Sequence, residues 1–230
     1  MCKKIHLKWR IYMSLMIDQQ VQVIDTYLNV EKIKNVSTYN MKKCAWFFSK
    51  NDQFWLLSNM AGQMPIFYPR GKKWNSSEQL YQASKYFPGT ACLPVDSGGK
   101  SAVEPDVRKR IESATNARGA KMTQKCAAKA GLVRKDWDDP ELEIRIHAML
   151  WVVELKLYYN PSTFGRELAA TGQREIVEIS KKDDFWGCKE REDALVGSNV
   201  LGKLLMEVRE RATEVKGGRF SYPSGFLLDS

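Results

Sequence analysis

Three polar side chains in the stretch W-N-S-S-E-Q-L-Y-Q-A-S-K-Y, residues 74–86, have the types and spacing that acid–base or covalent chemistry needs. Glu78, Gln82 and Lys85 recur at intervals of four and three, so a helix would place them in one row. Seven residues of helix rise by about 10.5 Å, and a carboxylate and an amine that far apart could hold a sugar-sized group between them. The same row also fits a solvated helix face, which is the commoner arrangement.

The helix that must position this row is predicted to begin at Ser76. Ser76 and Gln79 form the S-x-x-Q pattern of a capping box, in which each residue satisfies a backbone N–H at the start of a helix. This start puts Glu78 in the first turn, where the helix dipole favours a carboxylate. The opposite side of the helix is expected to be apolar and consists of Leu80, Ala83 and Phe87.

The rest of the chain predicts an α+β fold, a helix-rich single domain with a small antiparallel or mixed sheet. At 230 residues and 43% hydrophobic residues, the chain can bury one sizeable core. Short strands and turns are predicted in residues 46–75, which we expect to supply the sheet, and another strand at Ile176–Ile179. Apolar periodicity predicts a helix from Pro140 to Asn160, and further helices that end at Thr171-Gly172 and begin after Asn199.

The charge is uneven along the chain. The formal net charge is +9, and residues 1–45 hold eight Lys and Arg against three Asp and Glu, so they contribute +5. The sequence thus predicts a basic N-terminal extension over residues 1–45, a domain over 46–212 and a C-terminal tail over 213–230. The net charge indicates an anionic partner, but the +4 that is left for residues 46–230 weakens a nucleic-acid interaction of the main body.

Several classes of site and location are disfavoured by the sequence. Five scattered cysteines without a C-x-x-C pattern favour reduced thiols in a cytoplasmic protein. His6 and His147 are too few and too far apart for a histidine-based metal site, so no metal is expected. No stretch approaches the roughly 20 apolar residues of a membrane span, so no membrane partner is expected either.

A set of landmarks in residues 46–212 resembles the NADAR family, whose name stands for NAD- and ADP-ribose-associated. The landmarks are Phe47-Phe48, L-S-N-M at 57–60, the stretch 74–86, A-R-G-A-K at 117–121, R-K-D-W at 134–137, T-G at 171–172, D-D-F-W-G at 183–187 and G-S-N-V-L-G-K-L-L-M-E-V-R at 197–209. Each landmark is weak alone, and their order together makes the resemblance specific.

The resemblance implies an N-glycosidase that needs no cofactor. Its substrate would be a phosphorylated ribosylamino-pyrimidine intermediate of riboflavin biosynthesis or, alternatively, ADP-ribose attached to guanine in nucleic acid. Glu78 is the expected general acid or base. Lys85 would either attack the ribose C1 as a neutral amine and form an imine, or bind phosphate or a hydroxyl while Glu78 activates water.

The resemblance also assigns substrate-binding residues. The tryptophans Trp74, Trp137 and Trp186 are candidates to stack on the base. Candidates to hold ribose hydroxyls are Asp136, Asp184 and Asn199, and Gln82 would be a polar support between Glu78 and Lys85. Two residues of the landmarks complete the expected binding set, namely Asn59 and Gly187.

The sequence departs from the family at Gln79, where His is common, and in the Phe87–Pro105 loop, which is longer than usual. The longer loop leaves the substrate preference open. Two other readings compete with an enzyme: a non-catalytic binder of ADP-ribose on the same scaffold, and a protein that binds nucleic acid through its basic N-terminus. The second reading predicts an affinity that falls steeply with salt.

Overall fold

The computed structural model describes residues 22–23, 28–68, 71–87, 89–90 and 106–220, and within them it confirms the α+β class. Most of the Phe87–Pro105 loop and of the predicted tail lie outside the described residues. The helices are α1 Val30–Lys34, α2 Ser77–Ala83, α3 Val107–Glu112, α4 Ala117–Lys129, α5 Ile144–Tyr159, α6 Phe164–Ala170, α7 Val200–Glu210 and α8 Ala212–Lys216. The strands are β1 Gln22–Val23, β2 Ser37–Asn40, β3 Ala45–Phe47, β4 Ile66–Phe67, β5 Lys73–Trp74, β6 Ile176–Glu178, β7 Lys189–Arg191, β8 Ala194–Gly197 and β9 Arg219–Phe220.

Helix α5 forms the centre of the core. Twelve of its sixteen residues are buried, since the helix is apolar on nearly every side. It begins at Ile144 instead of the predicted Pro140. The carboxylate of Asp139 accepts the N–H groups of Glu141 and Leu142, and Glu143 has a positive φ of 49°, so the preceding residues form a turn. The predicted end at Asn160 is confirmed.

The strands within the described residues form four small sheets. An antiparallel sheet has the order β2-β8-β7, while β3 pairs with β6 in parallel and β4 pairs with β5 antiparallel. The fourth sheet is the parallel pair of β1 and β9. The expectation that residues 46–75 supply the sheet is therefore wrong for the largest sheet, which uses residues 37–40 and 189–197. The reason is that a hairpin turn with Glu192 at a positive φ of 51° pairs β7 with β8 locally.

The β3–β6 pair separates two hydrophobic clusters. Phe47 and Ile176 belong to the main core around α5. Val177 belongs to a smaller cluster on the other side, with Trp46 packed against it. Because side chains alternate along a strand, the pair can serve both clusters at once. Glu178, the last residue of β6, lies at the edge of the main core.

Part of the segment assigned to the N-terminal extension is integrated into the domain. Ile33 of α1 and Tyr39 of β2 are buried, and β2 pairs with β8 over its whole length. The ammonium of Lys203 in α7 donates to the carbonyls of Ile33 and Asn35 at 3.1 and 2.5 Å. Residues 30–40 thus pack and pair like other elements of the fold.

Candidate active site

Helix α2 is buried on all sides, so the row of polar residues is not a solvated face. All seven of its residues are buried. Its start is held by Asn59, whose side-chain oxygen accepts from the Ser77 hydroxyl at 2.9 Å and whose carbonyl accepts the Glu78 N–H at 3.3 Å. Asn59 is itself buried, and it therefore orients the helix that carries Glu78.

The predicted capping box is confirmed with one change of partner. The Ser76 hydroxyl accepts the Gln79 N–H at 3.2 Å, while the Gln79 side-chain oxygen accepts the N–H of Asn75 at 2.6 Å. The Gln79 amide also donates to the carbonyls of Ile111, Glu112 and Ala114. Gln79 thus joins α2 to the end of α3 and makes a structural contact there.

The carboxylate of Glu78 receives two donors from different helices. The Gln82 amide donates to Oε1 at 2.7 Å, and the ammonium of Lys121 in α4 lies 3.6 Å from the same oxygen. The Glu78 side chain is only 7% exposed, whereas that of Lys121 is 60% exposed. No donor from the described residues reaches Oε2, so this oxygen is the one that a substrate or a water can use.

Lys85 lies beyond the end of α2, which stops at Ala83. The row is therefore not one continuous helix, because the Lys85 carbonyl accepts the N–H of Arg134 at 2.9 Å instead of continuing the helical pattern. Burial lowers the pKa of Lys85 to about 8, although the charge of Glu78 opposes this shift. A half-buried amine with this pKa is partly neutral near pH 7–8 and can act as a nucleophile.

An aromatic wall surrounds the Lys85 amine. Its nitrogen is 5.3 Å from the Tyr81 ring centre and 5.8 Å from that of Trp137. The Tyr81 ring packs against Trp137 and Trp186 at centroid distances of 5.5 and 5.7 Å. The structure thus places Trp137 beside the Lys85 amine and joins Trp186 to it through Tyr81.

A second carboxylate, Glu178, belongs to the same site and was not predicted. Burial raises its pKa to about 7, and the charge of Glu78 raises it further while that of Lys121 lowers it. Two carboxylates with different environments suit a division into a proton donor and a proton acceptor. The available sequence signal was a Glu at the end of the predicted strand Ile176–Ile179.

Asn199 and Gly187 hold the strand that carries Glu178. The Asn199 side chain accepts the Glu178 N–H at 3.2 Å and donates to the Ile176 carbonyl at 2.8 Å. At Gly187, a Cβ would lie 2.5 Å from the Glu178 carbonyl oxygen, so only glycine fits. Both predicted substrate-binding residues therefore contact the backbone of β6, and Asn199 is completely buried.

Three other predicted site residues are engaged by neighbouring protein groups. Trp74 is fully buried in the core and its indole N–H donates to the Tyr68 carbonyl, so it has no exposed face for stacking. Asp136 is paired with Arg134 through two hydrogen bonds of 2.7 and 2.8 Å. Asp184 is paired with Lys189 at 2.6 Å. The last two carboxylates are therefore each paired with a cation of the protein.

The described part of the chain contains no group of three or more His, Cys, Asp or Glu side chains that could hold a metal ion. Nor does it contain a helix with the length and apolar character of a membrane span.

Comparisons with known proteins agree with the resemblance seen in the sequence. The NADAR domain profile matches residues 29–213. A protein of Vibrio vulnificus named as a riboflavin biosynthesis protein is 31% identical over 179 residues, which are 76% of this chain and 40% of that protein. A protein of Nostoc punctiforme named as an N-glycosidase is 31% identical over 137 residues, which are 60% of this chain and 73% of that protein.

The fold also has a solved counterpart. The NMR structure of the Escherichia coli protein YbiA superposes with a TM-score of 0.55 at 22% identity, and the match covers 87% of this chain and 90% of YbiA. The chain spans about two fifths of the length of the Vibrio protein, so only that part of the relative is represented here.

Proposed function

Because the chain belongs to the NADAR family, we propose that it is an N-glycosidase that hydrolyses the bond between a ribose and a nitrogenous base. The observation that carries the proposal is the grouping of Lys85, with a pKa of about 8, and the partly exposed Glu178, with a pKa of about 7, around the buried carboxylate of Glu78, whose charge acts on both. The Nostoc relative named as an N-glycosidase supports the reaction class.

In the proposed mechanism, the two carboxyl groups have different tasks. Glu178, whose pKa is about 7, is protonated in a sizeable fraction of molecules at neutral pH and donates a proton to the departing base. Glu78 accepts hydrogen bonds from Gln82 and a contact from the Lys121 ammonium, which suits its carboxylate form. Glu78 is therefore the proton acceptor.

Lys85 is the proposed nucleophile. Its neutral amine attacks C1 of the ribose while the C1–N bond breaks, and the bonding electron pair leaves with the base, which takes the proton from Glu178. The amine loses a proton to Glu78, which returns it to the ring oxygen as the sugar opens to an imine. Water then adds to the protonated imine and loses a proton to the Glu178 carboxylate, which restores the acid, and the free aldehyde sugar and the neutral amine are released. In the alternative, Glu78 activates water directly and Lys85 binds the substrate.

Two classes of substrate fit the ribosyl chemistry. We propose phosphorylated ribosylamino-pyrimidines, which the name of the Vibrio relative as a riboflavin biosynthesis protein supports. ADP-ribose on guanine in nucleic acid is the second candidate, and the exposed Lys121 beside Glu78 favours a substrate with phosphate groups in either case. A non-catalytic binder of ADP-ribose is the third candidate, and it is disfavoured because binding alone would not need two pKa-shifted groups.

The proposal is tested by incubating the protein with each substrate and measuring release of the base. Wild type should release it, whereas Glu78→Ala should lose most of the rate and Glu190→Gln, an exposed acid on β7, should not. Borohydride should trap a substrate-dependent adduct that is lost in Lys85→Ala. A normal rate without an adduct would favour direct water attack, and binding without base release in wild type would favour the non-catalytic reading.

A further inference from the structure

Helix α4 has a continuous basic face. It contains four cations and no acid, and Arg118, Lys121, Lys125 and Lys129 are all exposed. Their intervals of three, four and four residues align them along one side of the helix. This row of four side chains is called the α4 stripe below. It spans about 16 Å at the rise of a regular helix.

The α4 stripe accounts for a local excess of charge that the average along the chain conceals. Residues 107–129, which form α3 and α4, contain seven Lys and Arg and one acid, Glu112, for a net charge of +6. Since residues 46–230 together carry +4, the rest of that segment sums to −2. Glu112, in α3, is itself paired with Lys72 at 2.6 Å. Helix α4 has no acidic residue to neutralise the stripe.

The second residue of the stripe lies at the candidate active site. Lys121 places its ammonium 3.6 Å from the Glu78 carboxylate, yet most of its side chain faces solvent. From there the stripe runs to Lys129, eight residues or about 12 Å further along the helix. An extended anion that follows the stripe would therefore pass Glu78 at one end.

We propose that the α4 stripe binds the phosphate backbone of a single-stranded nucleic acid. A polymer is favoured over a small anion because the cations extend well beyond the reach of one phosphorylated sugar. A membrane surface is disfavoured, since the apolar residues Ala117, Ala120 and Ala127 face the core and Met122 alone among the large apolar residues of α4 is exposed. Trp186, which is partly exposed and packs edge-on against Tyr81, then offers a ring surface for an unstacked base.

The inference rests on the proposed function only for the part played by Glu78, because binding to the stripe does not require catalysis. A single strand is specified because an N-glycosidic bond inside a stacked duplex is out of reach of an active site. Unmodified oligonucleotide is a sufficient probe for the backbone contacts. Binding is then measured apart from any reaction.

The test is the anisotropy of a labelled single-stranded oligonucleotide of about 12 nucleotides, titrated with the full chain at several salt concentrations. The triple variant Arg118→Gln, Lys125→Gln, Lys129→Gln removes three cations and leaves Lys121 in place. Each lost phosphate contact should reduce the slope of log K against log salt by about 0.7, so a reduction of about 2 is expected.

Two matched variants distinguish the effect of the stripe on binding from the effect of the overall net charge. Lys42→Gln, Lys43→Gln, Lys50→Gln removes three exposed lysines elsewhere on the domain, and Lys3→Gln, Lys4→Gln, Lys8→Gln removes three from the N-terminal segment. Both should retain the wild-type slope. A stripe variant that binds like wild type, or losses of equal size in all three variants, would overturn the proposal, as would binding to anionic lipid vesicles but not to the oligonucleotide.

Glu78→Ala distinguishes failure of this inference from failure of the proposed function. It should abolish base release but keep oligonucleotide binding, because it removes no cation from the stripe. Absence of base release in wild type with intact, stripe-dependent binding would reject the enzyme and keep the docking surface. Base release without oligonucleotide binding at about 50 mM salt would reject the docking surface and keep the enzyme.

Discussion

At the scale of single residues, the reactivity of the site depends on two pKa values that burial moves toward each other. The pKa of Lys85 falls to about 8 and the pKa of Glu178 rises to about 7. The proposed mechanism needs the Lys85 amine neutral and the Glu178 carboxyl protonated. The fraction of protein in this reactive form decreases at pH values below the pKa of Lys85, because Lys85 gains a proton. It also decreases at pH values above the pKa of Glu178, because Glu178 loses one. The environment of each group decides this, since neither side chain would titrate near pH 7 in water.

We therefore expect a bell-shaped pH profile of kcat/KM with its maximum between about 7 and about 8. Glu178→Gln should lower the rate and remove the fall on the alkaline side, because an amide cannot lose the catalytic proton. The measurement is the initial rate of base release across the pH range. An unchanged alkaline limb in Glu178→Gln would show that another group is the acid.

The sequence singled out Glu78 and Lys85 as candidates but not Glu178, and the physical reason is distance along the chain. Glu78 and Lys85 lie in one short stretch, so their spacing can be evaluated locally. The position of Glu178 depends on long-range contacts such as the pairing of β6 with β3, and no local pattern encodes this pairing. Trp74 shows the opposite error, since its type suggested stacking while its neighbours bury it completely.

At the scale of elements, the close packing of α7 against β6 fixes the position of Glu178. Gly202 lies in the first turn of α7, where a Cβ would overlap the Ile176 carbonyl oxygen and come within 2.5 Å of the Asn199 side-chain atoms. Adding a methyl group there must push the helix away from the strand or displace Asn199. The contact therefore links the packing of a helix to the geometry of the site.

Gly202→Ala should lower the free energy of unfolding by about 1–3 kcal/mol and reduce base release at temperatures where the protein is still folded. Gly62→Ala is the matched control, because no atom lies within 4 Å of its added Cβ. Urea denaturation of the two variants measures the difference. Equal stabilities would show that α7 and β6 can separate without cost.

The elements from Val30 to Asn40 should be required for stability. A chain that begins at Met41 lacks the buried side chains of Ile33 and Tyr39 and the strand that pairs with β8. We expect it to lose at least about 3 kcal/mol of unfolding free energy, at roughly 1.5–3 kcal/mol for each large buried side chain. A chain that begins at Gln22 keeps every described element and serves as the control in thermal denaturation. Comparable melting temperatures would mean that these elements are dispensable.

Local chemistry predicted the elements that end or begin with a strong cap. Ser76 with Gln79, and Thr171 with Gly172, mark boundaries that the structure confirms, and Gly172 has the expected positive φ of 58°. The helix predicted from Pro140 starts late because the Asp139 carboxylate binds the backbone of the next residues. Side-chain competition of this kind depends on rotamers and is not visible in hydrophobic periodicity.

At the scale of the whole molecule, the uneven charge should guide anionic substrates to one side. The α4 stripe is adjacent to Glu78, and the electrostatic attraction of a phosphate acts over about 10 Å at moderate ionic strength. We expect kcat/KM for a phosphorylated substrate to fall several-fold between about 20 and about 200 mM salt while kcat changes little. The stripe variant should show a flatter dependence, and a salt effect of equal size in that variant would place the attraction elsewhere.

The parallel pairing of β3 with β6 has a consequence for how the protein is made. Ala45 is paired with Ile176, 131 positions later in the chain. Long-range parallel pairs close late in folding because the intervening chain must first be ordered. On the ribosome, Glu178 is added about one hundred residues after Glu78, so the two carboxylates meet only when synthesis is well advanced. We expect a nascent chain to form the helices around Lys85 first and to bring Glu178 into the site last. Until then it should not release the base.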